Sequence, residues 1–216
     1  MSKGRDAILA SIRGALDAGR AAGWAPPASQ PPDFHDVETR YLDDHDPEAL
    51  RVRFQDRLVK LGDSVRRIRV ADVQEEVEAF SRERGLQSGV AEAAAIELTG
   101  TSARRSLAND KTTMFAADHA LVLADYGVAE TGTLVFVHAP GRSRLITIAP
   151  PLQLVVLRAS TLLPDLVDAL AIMRDVDPAN SVAWITGSSR TADIDGILIR
   201  GAHGPKELAI FMIEDA

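Results

Sequence analysis

The sequence contains no cysteine in 216 residues, so the chain by itself can build neither a disulfide nor a thiolate-ligated zinc or iron–sulfur centre. Any such cluster has to sit on a partner. There is no basic excess either: 24 Lys and Arg stand against 31 Asp and Glu, a net charge of −7, whereas a nucleic-acid binder needs a basic patch. Nucleic acid is therefore not an expected partner. The cluster Arg66, Arg67 and Arg69 alternates with Val65, Ile68 and Val70 and reads as the solvated face of a strand. No apolar run reaches the roughly 18 residues that span a bilayer. Met1 to Gly19 also lacks the apolar core and cleavage site of a leader, which makes the cytoplasm the expected compartment. His35, His45, His119 and His138 show no metal-ligand spacing, and the acidic run Asp43, Asp44, Asp46 lies beside a linker, so no bound metal is expected.

What is present describes an ordinary globular chain, 46% apolar and 25% charged, of a length that suits one α/β domain with appendages. Ile8, Leu9, Ile12, Ala15 and Leu16 recur at helical spacing and predict a short amphipathic helix over Ser2 to Leu16. Gly19 to Pro32, with Gly23, Pro26, Pro27, Pro31 and Pro32, predicts an irregular linker. Residues 1–34 are expected to form an arm that docks on another subunit or wraps its own domain, residues 35–216 to form the α/β domain, and a homo-oligomer is among the expected partners.

Within that domain, Leu50, Phe54, Leu58 and Leu61 predict a helix from Pro47 to Leu61, ended by Gly62. Val65 to Val70 predicts a strand, and Asp72 is placed to cap a helix that runs to Arg84 and stops at Gly85. Val90 to Leu98 is ambiguous, being rich in Ala and Glu. Leu121 to Ala124, Thr133 to Val137 and Leu152 to Leu157 read as buried strands, the last two as central ones. A helix from Leu162 to Met173 capped by Ser160, a strand Val182 to Thr186, a short helix Ile194 to Ile199 and a strand Leu208 to Ile213 complete the alternation. Such alternation predicts a mostly parallel sheet covered on both faces by helices, with ligands at the carboxyl ends of the strands.

Three loops carry the candidate chemistry. The first, Ala129-Glu130-Thr131-Gly132-Thr133, sets one carboxylate among hydroxyls beside a glycine. It is not a Walker loop, because Thr133 and Leu134 follow Gly132 where Lys and Ser or Thr are required. The second, Gly187-Ser188-Ser189-Arg190-Thr191-Ala192-Asp193, follows a predicted strand and precedes a predicted helix. Backbone N–H groups, the helix end and Arg190 would there hold a carboxylate or phosphate; otherwise Ser189, Thr191 or Asp193 merely caps the helix while Arg190 pairs with a surface acid. G-x-S-x-G is absent, which argues against a hydrolase elbow. The third, Gly201-Ala202-His203-Gly204-Pro205, is a glycine turn that presents His203 either as an acid or base or as a histidine bonded to backbone.

These three motifs, in this order from Leu121 to the C-terminus, resemble the signature of the lactate-utilisation protein C, or LUD-domain, family. The resemblance implies a Rossmann-like α/β fold similar to the NagB/RpiA/CoA transferase-like proteins. It also implies a part in oxidising L-lactate to pyruvate alongside iron–sulfur partner subunits, with no cofactor in this chain. A fold shared by many enzymes transfers no reaction. If the loops converge, Thr131, Gly132, Thr133, Gly187, Ser188, Ser189, Arg190, Thr191, Asp193, Gly201 and Gly204 would hold a small anion while Glu130 acts as base or nucleophile and His203 moves a proton. The alternative is a stand-alone enzyme using Glu130 on an anionic small molecule such as a CoA thioester, sugar phosphate or folate.

Overall fold

The computed structural model describes residues 3–23, 46–101, 105–107, 110–140, 142–192 and 198–215. The first helix, α1 (Lys3–Ala21), runs two residues past Gly19, where the sequence predicts a linker, and exposes Ile8, Leu9, Ile12 and Leu16 along one stripe. It belongs to a compact unit of its own; everything from residue 46 onward belongs to a second.

In that second unit α2 (Pro47–Lys60) begins where sequence logic puts it. Pro47 occupies the first turn, the Asp46 carboxylate accepts from the Glu48 N–H, and Leu50, Phe54 and Leu58 are buried along one face. Gly62, with φ of +80°, turns the chain into β1 (Ser64–Ile68). A 3-10 turn over Val70–Asp72 then leads to α3 (Val73–Glu83). Asp72 makes no side-chain cap, contrary to expectation, because Arg69 takes its carboxylate at 2.8 Å. The basic cluster is paired: Arg66 meets Glu76 and Glu83, and Arg67 meets Glu48 and Glu214.

The ambiguous Val90–Leu98 stretch divides into β2 (Gly89–Ala91) and α4 (Ala93–Thr99), with Glu92 between them. After β3 (Arg105–Leu107) and α5 (Lys111–Ala116), neither of which the sequence pattern announces, come β4 (His119–Leu123), β5 (Tyr126–Val128) and β6 (Thr133–His138). Then follow β7 (Leu152–Arg158), a two-residue β8 (Leu162–Leu163), α6 (Leu166–Met173), β9 (Ser181–Thr186), β10 (Arg190–Ala192), β11 (Leu198–Arg200) and β12 (Glu207–Ile213). The helix expected from Leu162 starts four residues late. Pro164 excludes a helical Leu163, and the Asp165 carboxylate, not Ser160, caps α6 through the N–H groups of Val167 and Asp168.

Six strands form an all-parallel sheet in the order β1-β12-β7-β4-β2-β3. Its two faces alternate strictly along β12. Leu208, Ile210 and Met212 pack towards α2, Leu134 and Phe136, whereas Ala209, Phe211 and Ile213 pack towards Val73, Val77 and Phe80 of α3. A second sheet, β8-β5-β6-β9, is mixed. This corrects the reading of Thr133 to Val137 as a central strand of the parallel sheet. β6 is buried on both faces, as a parallel strand would be, yet it pairs antiparallel with β5 and β9. One face of the parallel sheet is therefore covered by α3 and α4, and the other by α2 together with the second sheet.

Candidate functional site

The amino-terminal edge of the parallel sheet is tied together by one buried carboxylate. Asp63, just before β1, accepts from the N–H of Ser188 at 2.9 Å and of Leu208 at 3.1 Å. It thus joins the end of α2, the second candidate loop and the start of β12. Gly187 needs its φ of +76° and its lack of a side chain, since a β-carbon would meet Leu61 Cδ1 at 2.9 Å. The third loop is stitched to the second: Ser189 N–H donates to the Pro205 carbonyl at 2.8 Å, Gly201 N–H to the Ser189 carbonyl at 2.9 Å, and His203 N–H to Ser189 Oγ at 3.3 Å.

These bonds wall a cavity of about 380 Å³, in which Ser188, Ser189, Arg190 and His203 face Leu61, Ile148 and Trp184. Ser188 is 6% exposed, and its Oγ has no hydrogen-bond partner among the described residues. The Nε and Nη2 of Arg190 are buried and equally unpartnered. Buried donors left this way cost about 1–3 kcal/mol each until an acceptor arrives, so this wall of the cavity can take up oxygen acceptors.

The rest of the candidate set is distributed around it. Gly187 and Gly204 line the cavity, Gly201 forms the turn with φ of +78°, and Thr191 sits on β10; Asp193 lies outside the described residues. The expected helix Ile194 to Ile199 is overturned at its C-terminal half, where β11 pairs antiparallel with β10. The Asp195-Gly196 pair between those strands was the available hairpin signal, and helical spacing of Ile194, Ile197 and Leu198 obscured it.

The first loop is the turn of the β5–β6 hairpin, closed by Gly132 at φ of +71°. Its Ala129 and Glu130 N–H groups donate to the carbonyls of Leu163 and Pro164. Thr131 and Thr133 hydroxyls are in contact at 2.6 Å, and Thr133 and Thr186 at 2.7 Å. Because Thr186 lines the cavity, this row of hydroxyls links the first loop to its wall; Glu130 is half-buried in the turn and does not line that cavity.

The alternation of strands and helices predicts ligands at the carboxyl ends of the parallel strands, whereas this cavity lies at the amino ends of β1 and β12. The carboxyl ends hold a cluster that no sequence motif announces. Glu92 follows β2, Asp125 follows β4, and Arg142 lies between them. Arg142 grips both oxygens of Glu92 at 2.8 and 3.0 Å, Asp125 Oδ2 at 2.7 Å, and the carbonyls of Val137 and Leu123, which uses all its N–H groups. From here the chain leaves β2 towards β3 on one side and β4 towards β7 on the other, so this is the switch point of the sheet. The members lie far apart in sequence and form no motif, which is why spacing alone could not find them.

Beside the cluster, His138 is 3% exposed and stacks on Phe136 with ring centroids 6.3 Å apart. Both its ring nitrogens lack partners among the described residues. Burial lowers its pKa below the ordinary histidine value; the charges of Arg142 and Arg144 act in the same direction, and those of Glu92 and Asp125 oppose them. The unfolded chain then binds more protons than the folded one as pH falls through about 6.5. The stability held above that pH is lost progressively down to the folded pKa. Chemical denaturation at pH 7.5 and pH 5.5 should show a smaller loss for His138→Gln than for the parent chain. An equal loss in both would remove His138 as the cause.

Among the described residues no helix is long and apolar enough to cross a membrane. The family model of the LUD domain matches residues 70–213. A lactate utilization protein C from an Exiguobacterium species is 33% identical over 104 residues, covering 46% of this chain and 45% of that protein. An uncharacterized protein YkgG from Escherichia coli is 34% identical over 100 residues, covering 44% and 43%. The chain therefore spans just under half the length of the curated relatives it matches. In fold it is similar to a DUF162 family protein from Deinococcus radiodurans, with a TM-score of 0.63 at 15% identity over 77% of this chain and 98% of the other. With the family model covering more than half of its length, this chain belongs to the LUD domain family.

Proposed function

We propose that this chain serves lactate utilisation in the cytoplasm as a subunit that holds a small anion, leaving electron transfer to iron–sulfur partners. The observation that carries the binding half is that Ser188 and Arg190, in the wall of one cavity, have buried donors with no partner among the described residues. The names of the relatives supply the pathway, and the absence of cysteine supports the division of labour. The alternative, a stand-alone enzyme built on Glu130, has less support, because that carboxylate stands outside the cavity.

Two measurements test this reading. Calorimetric titration with small carboxylates and phosphates should give saturable binding that Arg190→Ala weakens about tenfold or more, the value of one charge-assisted hydrogen bond. Unchanged binding in that variant would move the site elsewhere. With L-lactate and an artificial electron acceptor, the purified chain should reduce nothing until iron–sulfur partners are added; turnover by the chain alone would sink the accessory role.

A further inference from the structure

Arg190 lines the cavity, and two further cations, Arg200 and Lys206, stand beside the segments that wall it. Arg190 and Arg200 face each other in the β10–β11 pair, and their Nη2 atoms reach to 3.4 and 3.5 Å from the point where a Gly62 β-carbon would stand. Two guanidinium groups therefore crowd one glycine. Lys206 lies against Gly201 in the turn that carries His203, close enough that a β-carbon there would collide with its side chain.

Among the described residues the acids do not cancel these three cations. Asp63 is the buried carboxylate at the site, and both its oxygens are committed to the backbone N–H groups of Ser188 and Leu208. Glu207, next to Lys206, is paired with Arg84. The C-terminal end of α2 contributes about half a negative charge near Gly62. Among the described residues, Arg190, Arg200 and Lys206 therefore leave a positive surplus beside the cavity.

The donors point the same way. The Nε and Nη2 of Arg190 form one edge of a guanidinium, which matches two oxygens of an oxyanion, and Ser188 Oγ adds a third donor. A carboxylate presents two oxygens and one charge; a phosphoryl group presents three oxygens and up to two charges. Leu61, Ile148 and Trp184 give an apolar wall for whatever carbon skeleton the group carries.

We propose that the group held by Ser188 and Arg190, with Arg200 as a second cation, is a phosphoryl dianion, either the end of a phosphate ester or the free ion. This rests on the small-anion reading above and narrows it. Lactate itself is then not the ligand of this cavity.

The experiment titrates the full chain at pH 8 and fixed ionic strength with inorganic phosphate, glycerol 3-phosphate, acetate and L-lactate. The phosphate probes should bind at least about tenfold more tightly than the carboxylates, a difference of about 1.4 kcal/mol. Arg200→Ala should weaken the phosphate probes several-fold and leave acetate unchanged, and Ser188→Ala should act in the same direction. Arg190→Lys keeps the charge without the fork and serves where Arg190→Ala does not fold, as judged by thermal unfolding. Binding of inorganic phosphate without the ester would support the phosphoryl chemistry and identify the free ion as its source. Carboxylates binding as tightly as phosphates, with Arg190 required, would overturn this inference and leave the small-anion reading standing. Binding of no probe would overturn both.

Discussion

Phe54→Ala is expected to destabilise the chain by about 4 kcal/mol, the usual cost of emptying a fully buried aromatic site. Phe54 is 0% exposed on the buried face of α2, where that helix meets both sheets. Its ring edge lies 3.1 Å from where a β-carbon on Gly127 would stand, so the ring fills the space that a side chain on β5 would otherwise need. For a chain of this length the midpoint of thermal unfolding should fall by roughly 8–16 °C. Urea unfolding with an unchanged slope would attribute the loss to the native state. Phe54→Leu, which keeps most of the volume, should cost well under half as much. A loss below about 1 kcal/mol for the alanine variant would mean that α2 is not the element that joins the two sheets.

Arg142→Ala is the second large effect, at about 3 kcal/mol, because it leaves Glu92 buried without its partner. The figure is set at the low end of the range since the Arg142 side chain is 22% exposed and Asp125 is 31% exposed, so water recovers part of the loss. Arg142→Lys should recover only part of the stability. A single ammonium cannot span both Glu92 oxygens, Asp125 and two carbonyls as the guanidinium does. Double-mutant cycles between Arg142 and Glu92 would read the coupling directly, and additivity of the two single changes would show that no brace exists.

How much of this was legible beforehand depends on the distance over which each signal acts. α2, α3, β7 and β12 were found because their burial pattern is written into consecutive residues: Leu50, Phe54 and Leu58 on one helix face, Leu152 to Leu157 as one apolar run. The sheet to which a strand belongs is not local. β6 and β9 carry a strand pattern that fits either sheet, and their antiparallel pairing is decided by the hairpin at Gly132, not by their own composition. The helix expected over Ile194 to Ile199 gives way to a strand at Leu198, because a spacing of three and four among Ile194, Ile197 and Leu198 suits a helix as well as it suits a strand.

The site divides in the same way. Ser188, Ser189, Arg190 and His203 meet in one cavity as their small-residue loops suggested, since glycine and serine mark where backbone must turn closely. What sequence could not supply was the edge of the sheet on which they meet. That is fixed by Asp63, an acid indistinguishable in sequence from its surface neighbours, through two backbone bonds to residues more than a hundred positions away. The Glu92–Asp125–Arg142 cluster escaped for the same reason.

The place of β12 between β1 and β7 has a consequence for how the chain is born. Ser64 of β1 pairs with Ala209, and no other described strand borders β1. As the ribosome extends the polypeptide, β1 waits without a neighbour, and β7 carries a bare apolar edge until Glu207–Ile213 has cleared the exit tunnel. The sheet is then completed by an insertion into its interior, a late, long-range event of the kind that slows folding. Until then β7 lacks the partner that pairs with Leu152 to Arg158 in the finished sheet, and an unpaired strand edge of this kind is where non-native association starts.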